Sequence, residues 1–169
     1  MSSTKIAFLD RDGTLILEPA DEQVDRLDKV ALVDGVMPAL LRLRDAGYEF
    51  VMVSNQDGLG TPSFPEADFR LVQDFVLQLF ASQGIGFREV FICPHRPSDN
   101  CECRKPRTGL LRQFLASTPI DRSARVVIGD RVTDLDLAAN LGLRGLRLDP
   151  GDPAAWAAIA HELVDLPRR

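Results

Sequence analysis

Five short runs rich in apolar and β-branched residues, at 5–9, 50–53, 88–92, 126–128 and 145–148, alternate along this chain with longer segments of helical period. Few folds accept that alternation. The runs read as buried parallel strands, and each intervening segment is long enough to cross from one strand to a parallel neighbour. Helices are expected at 36–46, with Pro38 in the first turn and Gly47 beyond the end, and at 66–83, where Phe69, Val72, Val76, Leu79 and Phe80 share a face. Further helices are expected at 108–117, 133–141 and 153–163. The fold class implied is α/β, a doubly wound, Rossmann-like parallel sheet with right-handed crossovers. With 169 residues the chain suffices for a single domain spanning 1–169. Trp156 and His161 fall in the last helix and read as packing or surface residues.

The first strand ends in Asp10-Arg11-Asp12-Gly13-Thr14. Residues i and i+2 of an extended chain point the same way, so Asp10 and Asp12 converge at the carboxyl edge of the sheet, where open α/β folds bind ligands. Two carboxylates so close repel unless a cation lies between them or one is protonated. A magnesium site with an aspartyl nucleophile satisfies both conditions. Polar residues follow other apolar runs as well. Ser54 and Asn55 come after 50–53, Lys105 precedes a helix, and Asp130 lies in the turn after 126–128. Thr133 or Asp134 can cap the helix that comes next.

Phe8-Leu9-Asp10-Arg11-Asp12-Gly13-Thr14, followed in order by Ser54, Lys105 and Asp130, closely resembles the motif series of the haloacid dehalogenase (HAD) superfamily. The resemblance implies a magnesium-dependent phosphatase. Asp10 would be the nucleophile that forms an aspartyl-phosphate, and Asp12 the general acid and then base. Asp10, the backbone carbonyl of Asp12, and Asp130 would hold the magnesium, while Arg11, Ser54, Asn55 and Lys105 would bind the phosphoryl group. The segments between motifs are too short for a separate cap domain.

All three cysteines and one of the two histidines lie in the loop 93–103. Cys93, His95, Cys101 and Cys103 form two i, i+2 pairs, a donor set suited to a closed tetrahedral zinc site that braces the loop delivering Lys105. Such a loop joined to Cys103-Arg104-Lys105-Pro106 looks like the HAD branch whose members act on histidinol phosphate or on a heptose bisphosphate. The stretches 15–19, 23–25, 54–60 and 63–65 favour the first substrate, and Glu18 is placed to pair with its cationic end. The heptose ester is the alternative, and a non-catalytic, zinc-stabilised binding module a remote one.

Net charge of −5 and a pI near 5.0 exclude a broad nucleic-acid footprint. No apolar run approaches the roughly 20 residues that cross a bilayer, and the N-terminus lacks a signal-peptide pattern. A cytoplasmic enzyme with a small phosphate ester as its partner is expected, of undetermined oligomeric state.

Overall fold

The computed structural model describes residues 4–118 and 122–166, and its centre is a parallel sheet of β1 (Lys5–Leu9), β2 (Tyr48–Asn55), β3 (Phe87–Cys93), β4 (Arg125–Gly129) and β5 (Arg144–Arg147). The strand order is β3-β2-β1-β4-β5, with Leu9 in register with Met52 on one side and Ile128 on the other. Helices α1 (Val36–Asp45), α2 (Glu66–Ser82), α3 (Arg112–Ser117), α4 (Val132–Leu141) and α5 (Ala155–Val164) cover both faces.

Alternation along β1 divides the core in two. Ala7 and Leu9 face the side packed by Leu40 and Leu43 of α1, Val72, Val76 and Phe80 of α2, and Trp156 of α5. Ile6 and Phe8 face the side packed by Phe114 of α3 and Leu137 of α4, where the Phe8 and Phe114 rings meet edge to face at 6.1 Å. Crossovers from β1 to β2 and β3 step one way across the sheet with helices on the first face. From β4 to β5 the chain steps the other way with its helix on the opposite face, so handedness is conserved while direction reverses. The reversal opens a crevice at the carboxyl ends of β1 and β4.

The expected α/β, doubly wound fold is the one observed, and among the described residues no cap lies over that edge. Boundaries differ from expectation in instructive places. Ser54 and Asn55 belong to β2 itself, held by pairing with Ile92 and Cys93 of β3. The helix expected from 108 begins only at Arg112, because Gly109 N–H is drawn to the carbonyl of Glu102 (2.9 Å) and Leu111 N–H to that of Thr108 (3.0 Å). The first bond ties the segment to the cysteine loop and the second closes a tight turn within it, instead of a helical ladder.

Trp156 is fully buried and its indole N–H donates to the carbonyl of Thr14 (2.8 Å), so α5 grips the loop after β1 directly. Replacing Trp156 by Phe keeps most of the volume but strands that buried carbonyl, and should cost about 1–3 kcal/mol. Trp156→Ala adds a cavity and should cost about 3–5 kcal/mol. Equilibrium urea unfolding of the two variants checks the order and the gap.

Candidate active site

The loop leaving β1 is shaped by its own backbone. Asp10 N–H still donates across to the carbonyl of Ile128 (3.1 Å), after which Leu15 and Ile16 N–H fold back onto the carbonyl of Arg11 (2.8 and 3.2 Å). Leu15 and Ile16 are fully buried and anchor this turn in the core. Gly13 sits at φ +79°, and a Cβ there would lie 2.3 Å from a carboxylate oxygen of Asp130. Glycine thus permits both the left-handed turn and the approach of loop to acid.

Lys105 is buried at the focus of the site. Its ammonium donates to Asp10 Oδ1 (2.8 Å), Asp134 Oδ1 (2.7 Å) and the carbonyl of Val53 (2.8 Å), which uses all three protons. Burial alone would lower its pKa, yet the Asp10 and Asp134 carboxylates hold it above the usual lysine value. Asn55 clasps the lysine's peptide from both sides, accepting from Lys105 N–H (3.0 Å) and donating to its carbonyl (3.3 Å). Asn55 therefore positions Lys105 with the amide that was expected to meet phosphate. Asp134 also accepts from the backbone N–H of Arg131 (3.2 Å), so one carboxylate joins the first turn of α4 to the lysine.

Asp10, Asp130 and Asp134 bring carboxylate oxygens within 4.8 Å of one another and can together hold a metal ion. Burial, and then the charge of Asp10, push Asp130 up to about 7; Asp134 is raised for the same reasons. Negative charge is thus in excess here by more than Lys105 offsets, a setting that suits a hard divalent cation with oxygen ligands. The Thr14 hydroxyl lies 3.5 Å from Asp10 and 3.4 Å from Asp130, bridging the two.

Asp12 faces elsewhere. Its carboxylate receives Arg11 Nε (2.8 Å) and Nη2 (3.3 Å) and Gln56 Nε2 (2.9 Å). Any share it takes in a cation site would come through its backbone carbonyl. Arg11 corrects an expectation: its guanidinium is fully buried, forks Asp12 and lies over the Phe69 ring at 5.0 Å, so its side chain does not line the cavity where phosphate would sit. Ser54 is buried and accepts from Gln56 Nε2 (2.8 Å), which leaves its own hydroxyl proton to donate. Glu18 also departs from expectation. It lines the cavity, but both its oxygens are held by Arg131 Nη2 (2.5 and 2.7 Å), so its carboxylate is already paired; burial still raises its pKa.

An open cavity of about 250 Å³ lies at this edge, with walls that include Asp10, Asp12, Glu18, Asn55, Lys105 and Arg131. Beside it the cysteine loop closes on itself. Cys93 Sγ lies 3.7 Å from Cys101 Sγ and 3.2 Å from Cys103 Sγ, Cys101 and Cys103 are 3.4 Å apart, and His95 Nδ1 is 3.1 Å from Cys103 Sγ. Donors about 2.3 Å from a tetrahedral zinc are separated by roughly 3.8 Å, so the four residues can close on a metal ion with small adjustments. Burial pushes the Cys93 thiol up to about 12. Cys101 lies at about 6, where burial is outweighed by hydrogen bonds from Cys103 and the Arg104 N–H. Arg104 ties the loop to the cavity through the carbonyl of His95 (3.1 Å) and the carboxylate of Asp57.

Sequence reasoning missed Gln56, Thr14 and Arg131 as parts of the site, and took Asp134 for a helix cap alone. Asp134 carried a signal, since it lies one helical turn after Asp130 and so returns to the same sheet edge. Thr14 stands in the motif that ends the first strand and Gln56 in the stretch 54–60, but neither pattern gives the side chain a partner.

Comparison with known proteins places this architecture. A family model described as HAD-hydrolase-like matches residues 102–160. The chain is 54% identical over 169 residues to the histidine biosynthesis bifunctional protein HisB of Xanthomonas campestris pv. campestris, covering 98% of this chain and 45% of that protein. It is 52% identical over 165 residues to the protein of the same name from Legionella pneumophila, covering 98% and 46%. The chain thus spans about half the length of the curated relatives it matches. Among solved structures, the D,D-heptose 1,7-bisphosphate phosphatase from B. bronchiseptica complexed with magnesium and phosphate superposes with a TM-score of 0.84 at 28% identity, covering 95% of this chain and 98% of that one.

Gly13→Ala should displace the Asp130 carboxylate and weaken cation binding by about 10–100-fold, as loss of ligand positioning generally does. Titration calorimetry with magnesium against the parental chain measures the change.

Proposed function

We propose that this chain is a HAD-like hydrolase, a magnesium-dependent phosphatase that releases phosphate from L-histidinol phosphate, a small ester, in the cytoplasm. One domain spanning 1–169 would carry the activity. The observation that carries this reading is the meeting of Asp10, Asp130 and Asp134 around a buried Lys105 at the mouth of a cavity. Alignment with histidine-biosynthesis proteins along nearly the whole chain supports the substrate.

Asp10 attacks phosphorus and becomes an aspartyl-phosphate as the ester oxygen departs. Lys105, hydrogen-bonded to Asp10 Oδ1, keeps the nucleophile oriented and places positive charge beside the incoming anion. Asp12, aimed by Arg11 and Gln56, gives a proton to the leaving alkoxide, then takes one from the water that attacks the aspartyl-phosphate. The Ser54 hydroxyl donates to a phosphoryl oxygen. Asp10, Asp130 and the Asp12 carbonyl would hold the magnesium, whose charge lets the anionic nucleophile and phosphate approach. Asp134 is largely committed to Lys105 and α4.

A heptose bisphosphate is the rival substrate, favoured by the close superposition on a phosphatase of that name. Phosphate release from the two esters side by side, with magnesium and with EDTA, separates the readings. Magnesium-dependent preference for histidinol phosphate is expected, and preference for the sugar would overturn the named substrate while keeping the chemistry. Asp10→Asn should lower turnover by at least about 10³-fold on the preferred ester, as loss of a covalent nucleophile does.

Cys93, His95, Cys101 and Cys103 would, on this reading, hold a structural zinc, since four protein ligands leave no position for a reacting water. Elemental analysis should find one zinc per chain. Cys101→Ser should lose it together with thermal stability, and lower activity indirectly by loosening the segment that delivers Lys105.

A further inference from the structure

The helix α2 buries one glutamine in an otherwise apolar stripe: Phe69, Val72, Val76 and Phe80 face the core, and Gln73 faces it among them. An amide in such a place is costly unless its polar atoms are met. Gln73 Oε1 accepts from Arg11 Nη1 (2.9 Å), and Gln73 Nε2 points at the sulfur of Met52 (3.3 Å). Arg11 turns its Nε and Nη2 toward Asp12, at 2.8 and 3.3 Å, and its Nη2 also reaches Gln56 Oε1 (3.4 Å), while Gln56 Nε2 returns to Asp12 (2.9 Å). A continuous, buried chain of hydrogen bonds therefore runs from the middle of α2 to the carboxylate of Asp12. Nothing in that chain touches the cavity except Asp12 itself.

We propose that Gln73 is a positioning residue that, by fixing the Arg11 guanidinium, holds the Asp12 carboxylate in the orientation required for proton transfer. This rests on the phosphatase reading above. Arg11 has a planar fork that can satisfy Asp12 only from one direction, and a fork free to rotate about its last bonds would carry the carboxylate with it. The cation–π contact with Phe69 holds the plane, and the Gln73 acceptor fixes rotation within it. Phe69 and Gln73 lie four residues apart on one face of α2, so a single helix supplies both restraints.

The role has a kinetic signature. In the second half of the reaction the water oxygen bonds to phosphorus, the bond from phosphorus to the Asp10 oxygen breaks, and the water's proton passes to Asp12. In the first half with an aryl ester, p-nitrophenolate leaves without needing a proton. A misdirected Asp12 consequently slows hydrolysis of the aspartyl-phosphate while sparing the first half with that substrate.

Gln73→Leu is compared with the parental chain in rapid mixing with p-nitrophenyl phosphate and magnesium, and in steady state with histidinol phosphate. The expected result is a kcat for histidinol phosphate lowered by about 10-fold or more with KM little changed, as for lost positioning groups. With the aryl ester, a burst of p-nitrophenolate approaching one equivalent per chain should appear and exceed any parental burst. Gln73→Glu keeps an acceptor for Arg11 and should restore most of the rate. Gln73→Asn, one methylene too short, should behave like the leucine variant, and decides the matter where leucine impairs folding. A folded Gln73→Leu or Gln73→Asn chain with parental kcat, or with both half-reactions slowed alike and no burst, overturns the proposal. A parental chain that releases phosphate from neither ester overturns the phosphatase reading and this inference with it.

Discussion

Three carboxylates, those of Asp10, Asp130 and Asp134, meet where β1 and β4 end, with Asp12 on the same loop beside them, and among the described residues Lys105 and Arg11 are the buried cations that pair with this group. At about 4 Å, two like charges near a protein surface repel by roughly 4 kcal/mol, so this arrangement must be held together by the surrounding structure. Most of what is distinctive about the molecule follows from that requirement. Asp134 is closed onto the start of α4 and onto Lys105; Asp12 is forked by Arg11; Asp130 remains exposed to the repulsion and is pushed up to about 7. The excess of charge marks the position a divalent cation would take.

The sheet supplies the geometry. Reversal of strand order at β1 and β4 leaves a crevice that neither set of helices fills, and parallel strands deliver their carboxyl ends to the same edge. Lys105 arrives from outside the sheet. It is carried by the segment after the cysteine loop, clasped at its peptide by Asn55 from the end of β2 and at its ammonium by Val53, Asp10 and Asp134. Two strand ends and one helix are thereby tied to one lysine. The cysteine loop and Trp156 serve the same end from opposite sides, one holding the segment that bears Lys105 and the other the turn that bears Asp10.

Much of this was legible from spacing. Apolar runs of three to five residues between helical segments point to a parallel sheet, and Asp10 and Asp12 reach its edge because the first run stops at Leu9. The cysteines and His95 could be grouped because they occupy eleven residues of loop with little apolar cover. Arg11 and Glu18 were less legible. Both stand close to the candidate catalytic positions in the sequence, yet Arg11 turns under the loop toward α2 and Glu18 finds Arg131, 113 residues later. Asn55 looked like a phosphate ligand because an amide at a strand end commonly is one; its partner 50 residues away could not be read from local pattern.

The sequence by itself determined the class of sheet, the edge at which chemistry would gather, and the residue types able to hold two different cations. These depend on periodicity and on short-range spacing, which backbone geometry converts directly into direction. Only the tertiary structure decided which acid receives which cation: Lys105 for Asp10 and Asp134, Arg11 for Asp12, and Arg131 for Glu18. All but the Arg11–Asp12 pair join elements far apart in the chain, and a buried charge accepts whichever partner packing brings within reach, because burial makes going unpaired the costliest outcome.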